Sequence, residues 1–135
     1  MKPILVDASV IVASLVKTEK HHQVCAEAIR QAEGALLTCD AVIVESCHLL
    51  RHIDGAAEVI LANVTAGLLQ IPFQLSRDSD PVRSIMKKYR DLRIDLADAC
   101  LIRMAEEFET GDILTLDRDF VIYRWGKNKA FHVMP

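Results

Sequence analysis

A chain of 135 residues that is 51% hydrophobic and 26% charged has the composition of a one-domain globular protein, 1–135, with a sizeable core, and excludes a disordered or fibrous chain. The net charge of −3 argues against a non-specific nucleic-acid binder, which is usually basic overall, yet it is compatible with an acidic metal site rimmed by local basic residues. No apolar run reaches about 18 residues, and no charged segment, apolar stretch and small-residue cleavage site open the chain, so neither a membrane span nor a secretory signal is expected.

Cys25, Cys39, Cys47 and Cys100 form no CxxC pair and are expected as buried thiols of a cytoplasmic protein. In chain order, Ile4–Val6 is a short apolar run suited to a buried parallel strand. Asp7 follows it, and Ala8–Val16 begins a crossover helix. Ligands of open α/β sheets bind outside the carboxyl ends of the strands, so Asp7 stands where such a protein works. Asp is also a favoured helix N-cap, and one residue can do both. Thr18–His22 is a polar break. The helical spacing of Val24, Ala28 and Ala32 predicts a helix over His22–Glu33, ended by Gly34. Ala35–Thr38 is a candidate strand, Asp40 an N-cap for a helix over Ala41–Ile53, and Asp54-Gly55 a break. A further helix is predicted over Ala56–Leu69 and a strand over Ile71–Leu75. Asp80-Pro81 has the form of an N-cap followed by Pro at the first helical position, opening a helix over Val82–Tyr89. Asp95–Phe108, with Ala97, Leu101, Met104 and Phe108 in step, is the clearest helix. Ile113–Leu116 is a strand ending in Asp117, and Phe131–Met134 a last short strand. Helices alternating with short strands predict a parallel sheet covered by helices.

Four acids are embedded in apolar sequence: Asp7 after Ile4–Val6, Glu45 among Ala41, Val42 and Leu49, Asp98 among Ile94, Leu101 and Ile102, and Asp117 after Ile113–Leu116. Charged residues almost never bury unless they are paired or hold a metal. With no matching internal Lys or Arg, the four suggest a divalent cation. Oxygen-only ligands point to Mg²⁺ or Mn²⁺ and not zinc, a preference that suits phosphate chemistry. Each acid has a plainer reading: solvent reach from a helix edge for Glu45, a capping-box acid for Asp98, a turn residue for Asp117. Their conjunction carries more than any one of them. His48 and His52, four apart, have a zinc-compatible spacing but no glutamate in the zinc-protease position. Ser9 and Thr115 offer hydroxyls for a metal water or a phosphate, or for local caps. Lys87, Lys88, Arg90, Arg93, Arg118, Arg124, Lys127 and Lys129 are candidates for phosphate contacts or a solvated charged face. Trp125 packs or stacks on a base.

The ordered set Val6-Asp7-Ala8-Ser9, Glu45, Asp95-Leu96-Ala97-Asp98-Ala99 and Thr115-Leu116-Asp117-Arg118-Asp119-Phe120 resembles the PIN domain and, within it, the VapC-type toxin ribonucleases of prokaryotic toxin–antitoxin systems. The resemblance spans the chain. It implies a three-layer α/β/α fold with a parallel sheet of four or five strands and acids converging at the strands' carboxyl ends. It also implies Mg²⁺- or Mn²⁺-dependent hydrolysis of RNA phosphodiesters, with Asp7, Glu45, Asp98 and Asp117 as catalytic and metal-binding residues; Ser9, Asp95, Thr115 and Asp119 are the candidates for residues that support them. Asp98 is favoured over Asp95 because it holds the family's Asp-Ala position, and Asp117 over Asp119 because it ends the strand directly. For a toxin the resemblance further implies a small antitoxin that blocks the acidic cleft, and a homodimer; the apolar Ala56–Leu69 helix is a candidate for its interface and equally for the core. An RNA-processing nuclease outside a toxin pair and a non-catalytic interaction module of the same fold are the competing readings; the filled acidic positions weigh against the module.

Overall fold

The computed structural model describes residues 1–135. Four short strands, β1 (Ile4–Val6), β2 (Leu36–Leu37), β3 (Asp112–Leu114) and β6 (His132–Met134), form one parallel sheet in the order β2-β1-β3-β6. A small antiparallel hairpin, β4 (Arg124–Trp125) and β5 (Lys129–Ala130), precedes β6. Six helices complete the chain: α1 (Ala8–Leu15), α2 (His22–Gln31), α3 (Asp40–Leu49), α4 (Ala56–Thr65), α5 (Leu75–Lys88) and α6 (Leu96–Phe108). Leu5, Val6, Ile113 and Leu114 of the two central strands are fully buried. Strands buried on both faces need helices on both faces, and the result is the expected three-layer α/β/α arrangement. No helix is long and apolar enough to cross a membrane.

The register sets the site. Leu5 pairs with Leu37 on one side and Ile113 on the other, and Val6 pairs with Leu114. From β1 the chain passes to β2 through α1 and α2. It then returns to the other side of β1 as β3. The strand order therefore reverses at β1, and the β1–β3 boundary is the switch point where open α/β sheets bind ligands. At the opposite end of the sheet the β1 and β2 backbones run close together, with the Ile4 N–H donating to the Ala35 carbonyl at 2.8 Å. A Cβ at Gly34 would collide there with the Lys2 carbonyl, so only glycine fits.

Several predicted boundaries shift. Ile71–Leu75 is not a strand: only Gln70 forms a parallel bridge, to Leu37, and α5 already begins at Leu75. The β2 edge is two residues long and offers too short a ladder to extend the pairing. Asp80 does not cap a helix. Residues 75–88 are helical apart from a kink at Asp78 (φ −109°, ψ 17°), and Pro81 lies inside α5. The kink makes 79–88 in effect a fresh helical start, whose first turn has spare donors and tolerates proline. Asp40 falls in the first turn of α3, with Cys39 at the N-cap. The helices α1, α2, α3 and α4 end one to four residues before their predicted ends, at Leu15, Gln31, Leu49 and Thr65. β3 stops at Leu114, so Thr115 and Leu116 lie beyond the strand.

Candidate active site

Asp7 ends β1 in an extended conformation and caps α1, its Oδ1 accepting the Ala8 N–H at 2.7 Å. Its own N–H donates to the Leu114 carbonyl at 3.0 Å, which fastens it to β3. Its other oxygen, Oδ2, accepts the Thr115 hydroxyl at 2.7 Å. The Thr115 Oγ1 in turn accepts the Asp117 N–H at 3.0 Å, and Ser9 Oγ accepts the Leu116 N–H at 2.9 Å. Cap and strand-end carboxylate are thus one residue. The two hydroxyls left open between local and functional roles tie the β1 end to the β3 end.

Asp98 arrives from α6. The N-cap of that helix is Asp95, whose Oδ1 accepts the Asp98 N–H at 2.8 Å. The cap turns Asp95 outward, where it is exposed, while Asp98 points inward and is only 7% exposed. Asp117 is half-buried and accepts the Asp119 N–H at 2.9 Å, opening the 3-10 turn Arg118–Val121. Carboxylate oxygens of Asp7, Asp98 and Asp117 all lie within 4.8 Å of one another. Glu45, half-buried on α3, is not in that trio, nor are Asp95 and Asp119. Glu45 still senses it: burial first, then the charges of Asp95, Asp7 and Asp117, raise its pKa.

Neither Asp7, Asp98, Asp117 nor Glu45 is in an ion pair; the bridges of the molecule lie elsewhere. Burial raises the pKa of Asp7 against the opposing hydrogen bonds from Thr115 and Ala8, and Asp117 and Asp95 add repulsion. Asp98 is pushed up to about 8, by burial first and then by Asp7, Asp95, Asp117 and Glu45. Close carboxylates that find no cation in the protein are the donor set for a hard divalent ion such as Mg²⁺ or Mn²⁺. The residues fit the ion that the sequence suggests.

A stability prediction follows from Asp98. Its ordinary value of 3.8 applies in the unfolded chain, and the folded value is about 8. Between these the folded state holds the extra proton, so folding is favoured at the acid end, and stability falls as pH rises through the window. In EDTA the thermal midpoint is expected to drop on going from pH 5 to pH 8.5, on the order of 10 °C. Asp98→Asn should flatten that slope, and a divalent ion should restore the midpoint at the alkaline end. A midpoint that climbs with pH in EDTA would contradict the assignment of Asp98 as a strained, unpaired acid.

Tyr123, the ion pairs of Asp78 and the β4–β5 hairpin left little trace in the sequence. Tyr123 is fully buried and stacks edge-on against Tyr89 and Phe120. Burial, then Asp98 and Asp119, hold its phenol well above the usual tyrosine range. The three-residue spacing of Phe120 and Tyr123 was its only trace. Asp78, buried at the α5 kink, is bridged by Arg77 at 3.2 Å and by Arg103 of α6 at 3.5 Å, a partner no local pattern announces. Trp125 packs over Gly111 and donates to the Ala130 carbonyl at 3.2 Å, which closes the unpredicted hairpin. His48 and His52 are exposed on and just after the end of α3, and neither joins the acids. Cys25, Cys39 and Cys100 are buried and unpaired as expected, and Cys47 is half-buried.

Fold and side chains together define a parallel α/β protein with a carboxylate cluster at the carboxyl ends of its two central strands. The chain belongs to the PIN domain family, whose model matches residues 4–125. It is 28% identical over 116 residues to ribonuclease VapC26 of Mycobacterium tuberculosis, across 84% of this chain and 86% of that protein. It also resembles the crystal structure of Mycobacterium tuberculosis VapC20, a sarcin-ricin loop cleaving toxin. The TM-score is 0.81 over 93% of this chain and 98% of that one, at 16% identity, a likeness of fold.

Proposed function

We propose that this protein is a divalent-cation-dependent ribonuclease of the VapC toxin type, acting as one PIN domain over 1–135. The observation that carries the reading is the trio Asp7, Asp98 and Asp117, with oxygens within 4.8 Å of one another and without an ion-pair partner, at the switch point of a PIN fold. Asp7, Asp98 and Asp117 would hold Mg²⁺ or Mn²⁺, with Glu45 completing the charge or serving a second ion. The bound cation would neutralise a phosphodiester oxygen and favour its hydrolysis. The protein's own part is positional. The Thr115 hydroxyl donates to Asp7 and its oxygen accepts the Asp117 N–H, and Ser9 holds the Leu116 backbone between them. The Asp95 cap keeps Asp98 facing inward. Asp119 supports Asp117 by its backbone N–H, not by its carboxylate.

A cytoplasmic protein of this type would act on RNA, be restrained by a small antitoxin covering the acidic cleft, and pair as a homodimer. Val59 and Leu61, exposed on α4, are available to such an interface. Purified protein is expected to cleave RNA in Mg²⁺ or Mn²⁺ and to stop in EDTA, with restoration on adding excess metal. Cleavage that persists in chelator, in a preparation freed of contaminating nuclease, would falsify the metal-dependent mechanism.

A further inference from the structure

Just ahead of α6 in the chain lies a second feature that the carboxylates do not use. Along the end of α5 and the 3-10 turn Arg90–Leu92 runs a groove of about 640 Å³ lined by Arg83, Lys87, Arg90, Arg93 and Ile94, among others, and by no acidic residue. Arg83, Lys87 and Arg90 follow helical spacing, so they share a face, and all four cations are exposed. Arg83 reaches only the exposed Asp80, at 3.3 Å; Lys87, Arg90 and Arg93 have no carboxylate partner. Asp91, on the same turn, does not line the groove.

Cations in the last turn of a helix offset its dipole, which accounts for Lys87 but not for Arg90 or Arg93 beyond the helix. Like charges at helical spacing repel mildly, and here four gather on a chain whose net charge is −3. The groove also leads somewhere. Arg93 takes a left-handed turn (φ 52°), Ile94 is buried behind it, and Asp95 then caps α6, three residues before Asp98. The last cation of the groove, Arg93, thus stands two residues before the α6 cap and five before Asp98 of the trio. A polyanion drawn toward a site of its own sign needs such a cationic track.

We propose that this groove binds the sugar-phosphate backbone of the RNA beside the scissile bond and presents it to the carboxylate cluster. The proposal rests on the ribonuclease reading and narrows it. Of the eight cations marked in the sequence, Lys87, Arg90 and Arg93 with the added Arg83 form the track, and the hairpin cations Arg124, Lys127 and Lys129 do not.

The test compares the triple variant Lys87→Ala/Arg90→Ala/Arg93→Gln with Lys17→Ala/Lys20→Ala. The latter removes exposed charge after α1, which leads away from the carboxyl ends of the strands. Binding of a short fluorescein-labelled single-stranded RNA of mixed sequence is measured in EDTA across a salt series, and KM and kcat for RNA cleavage in Mg²⁺. The triple variant should lose about 2 from the slope of log affinity against log salt, at ~0.7 per phosphate contact on a single strand. Its KM should rise roughly tenfold or more at a kcat within about twofold of the parent. The control should match the parent in slope and KM, and both should keep the parent's thermal midpoint. An unchanged slope and KM in the triple variant of a cleaving enzyme would overturn the groove, as would an equal loss in the control or no salt-dependent binding by the parent. If the parent binds RNA through these residues yet cleaves none in any divalent ion, the groove stands and the ribonuclease reading fails.

Discussion

Asp98→Asn is expected to lower metal-dependent cleavage by about a hundredfold or more, while Asp95→Asn keeps most of it. The two acids are three residues apart, and spacing alone cannot separate them. Their environments do. Asp98 is 7% exposed and belongs to the trio of close oxygens, whereas Asp95 faces solvent and spends one oxygen on the Asp98 N–H. Asn caps nearly as well as Asp, so Asp95→Asn should preserve the turn that aims Asp98. It removes a charge that raises the pKa of Asp98, Asp7 and Glu45, but the same charge attracts a dication about twice as strongly as a proton, so metal affinity is expected to stay equal or fall slightly. Asp98→Asn takes a carboxylate out of the trio itself. Calorimetry with Mn²⁺ and cleavage rates at saturating metal distinguish the two. Loss of metal binding in Asp95→Asn with retention in Asp98→Asn would reverse the assignment; equal loss in both would make them one shared site.

Asp7→Asn should abolish cleavage and leave the protein folded, with a thermal midpoint in EDTA equal to or above that of the parent. The amide oxygen can keep the Ala8 N–H. The amide nitrogen then faces Thr115 as a donor, so the Thr115 hydroxyl must turn its proton away. Ser9 Oγ, 3.4 Å from Thr115 Oγ1, is the acceptor on hand. The hydrogen-bond chain therefore reverses one link and survives, while the charge that repels Asp98 and Asp117 is gone. Asp7→Ala differs. It removes the cap, at about 1 kcal/mol, and takes away the 2.7 Å acceptor of the Thr115 hydroxyl with nothing in its place, leaving only the longer contact to Ser9, at a further ~1 kcal/mol. A folded Asp7→Asn with full activity would remove Asp7 from the site. A midpoint as low as that of Asp7→Ala would make Asp7 a structural cap alone.

Much of this site is written in local chemistry. A carboxylate directly after Ile4–Val6 or beyond Ile113–Leu114, or at the inward position of α6, is unfavourable without compensation. That anomaly is visible in one dimension. The α6 cap is equally local, because an N-cap side chain bonds an N–H only three residues on. Sequence reasoning misjudged elements where the deciding partner is remote. Ile71–Leu75 has the composition of a strand, but a strand needs an edge to pair with, and β2 offers two residues. The start of α5 carries an ordinary N-cap and Pro signal at Asp80-Pro81. Yet the helix begins at Leu75 and kinks at Asp78, whose buried carboxylate is met by Arg103, 25 residues away.

By itself, then, the sequence determined the alternation of helices and strands, the PIN family and the acids out of place in apolar surroundings, since burial preference and capping are properties of neighbours along the chain. Only the tertiary structure decided that Asp7, Asp98 and Asp117 bring their oxygens within 4.8 Å of one another while Glu45 stands back, and that Thr115 joins two strand ends. Those are distances between segments. They depend on the pairing of β1 with β3 and on the seat of α6 against β1, which residues more than a hundred positions apart settle together through packing.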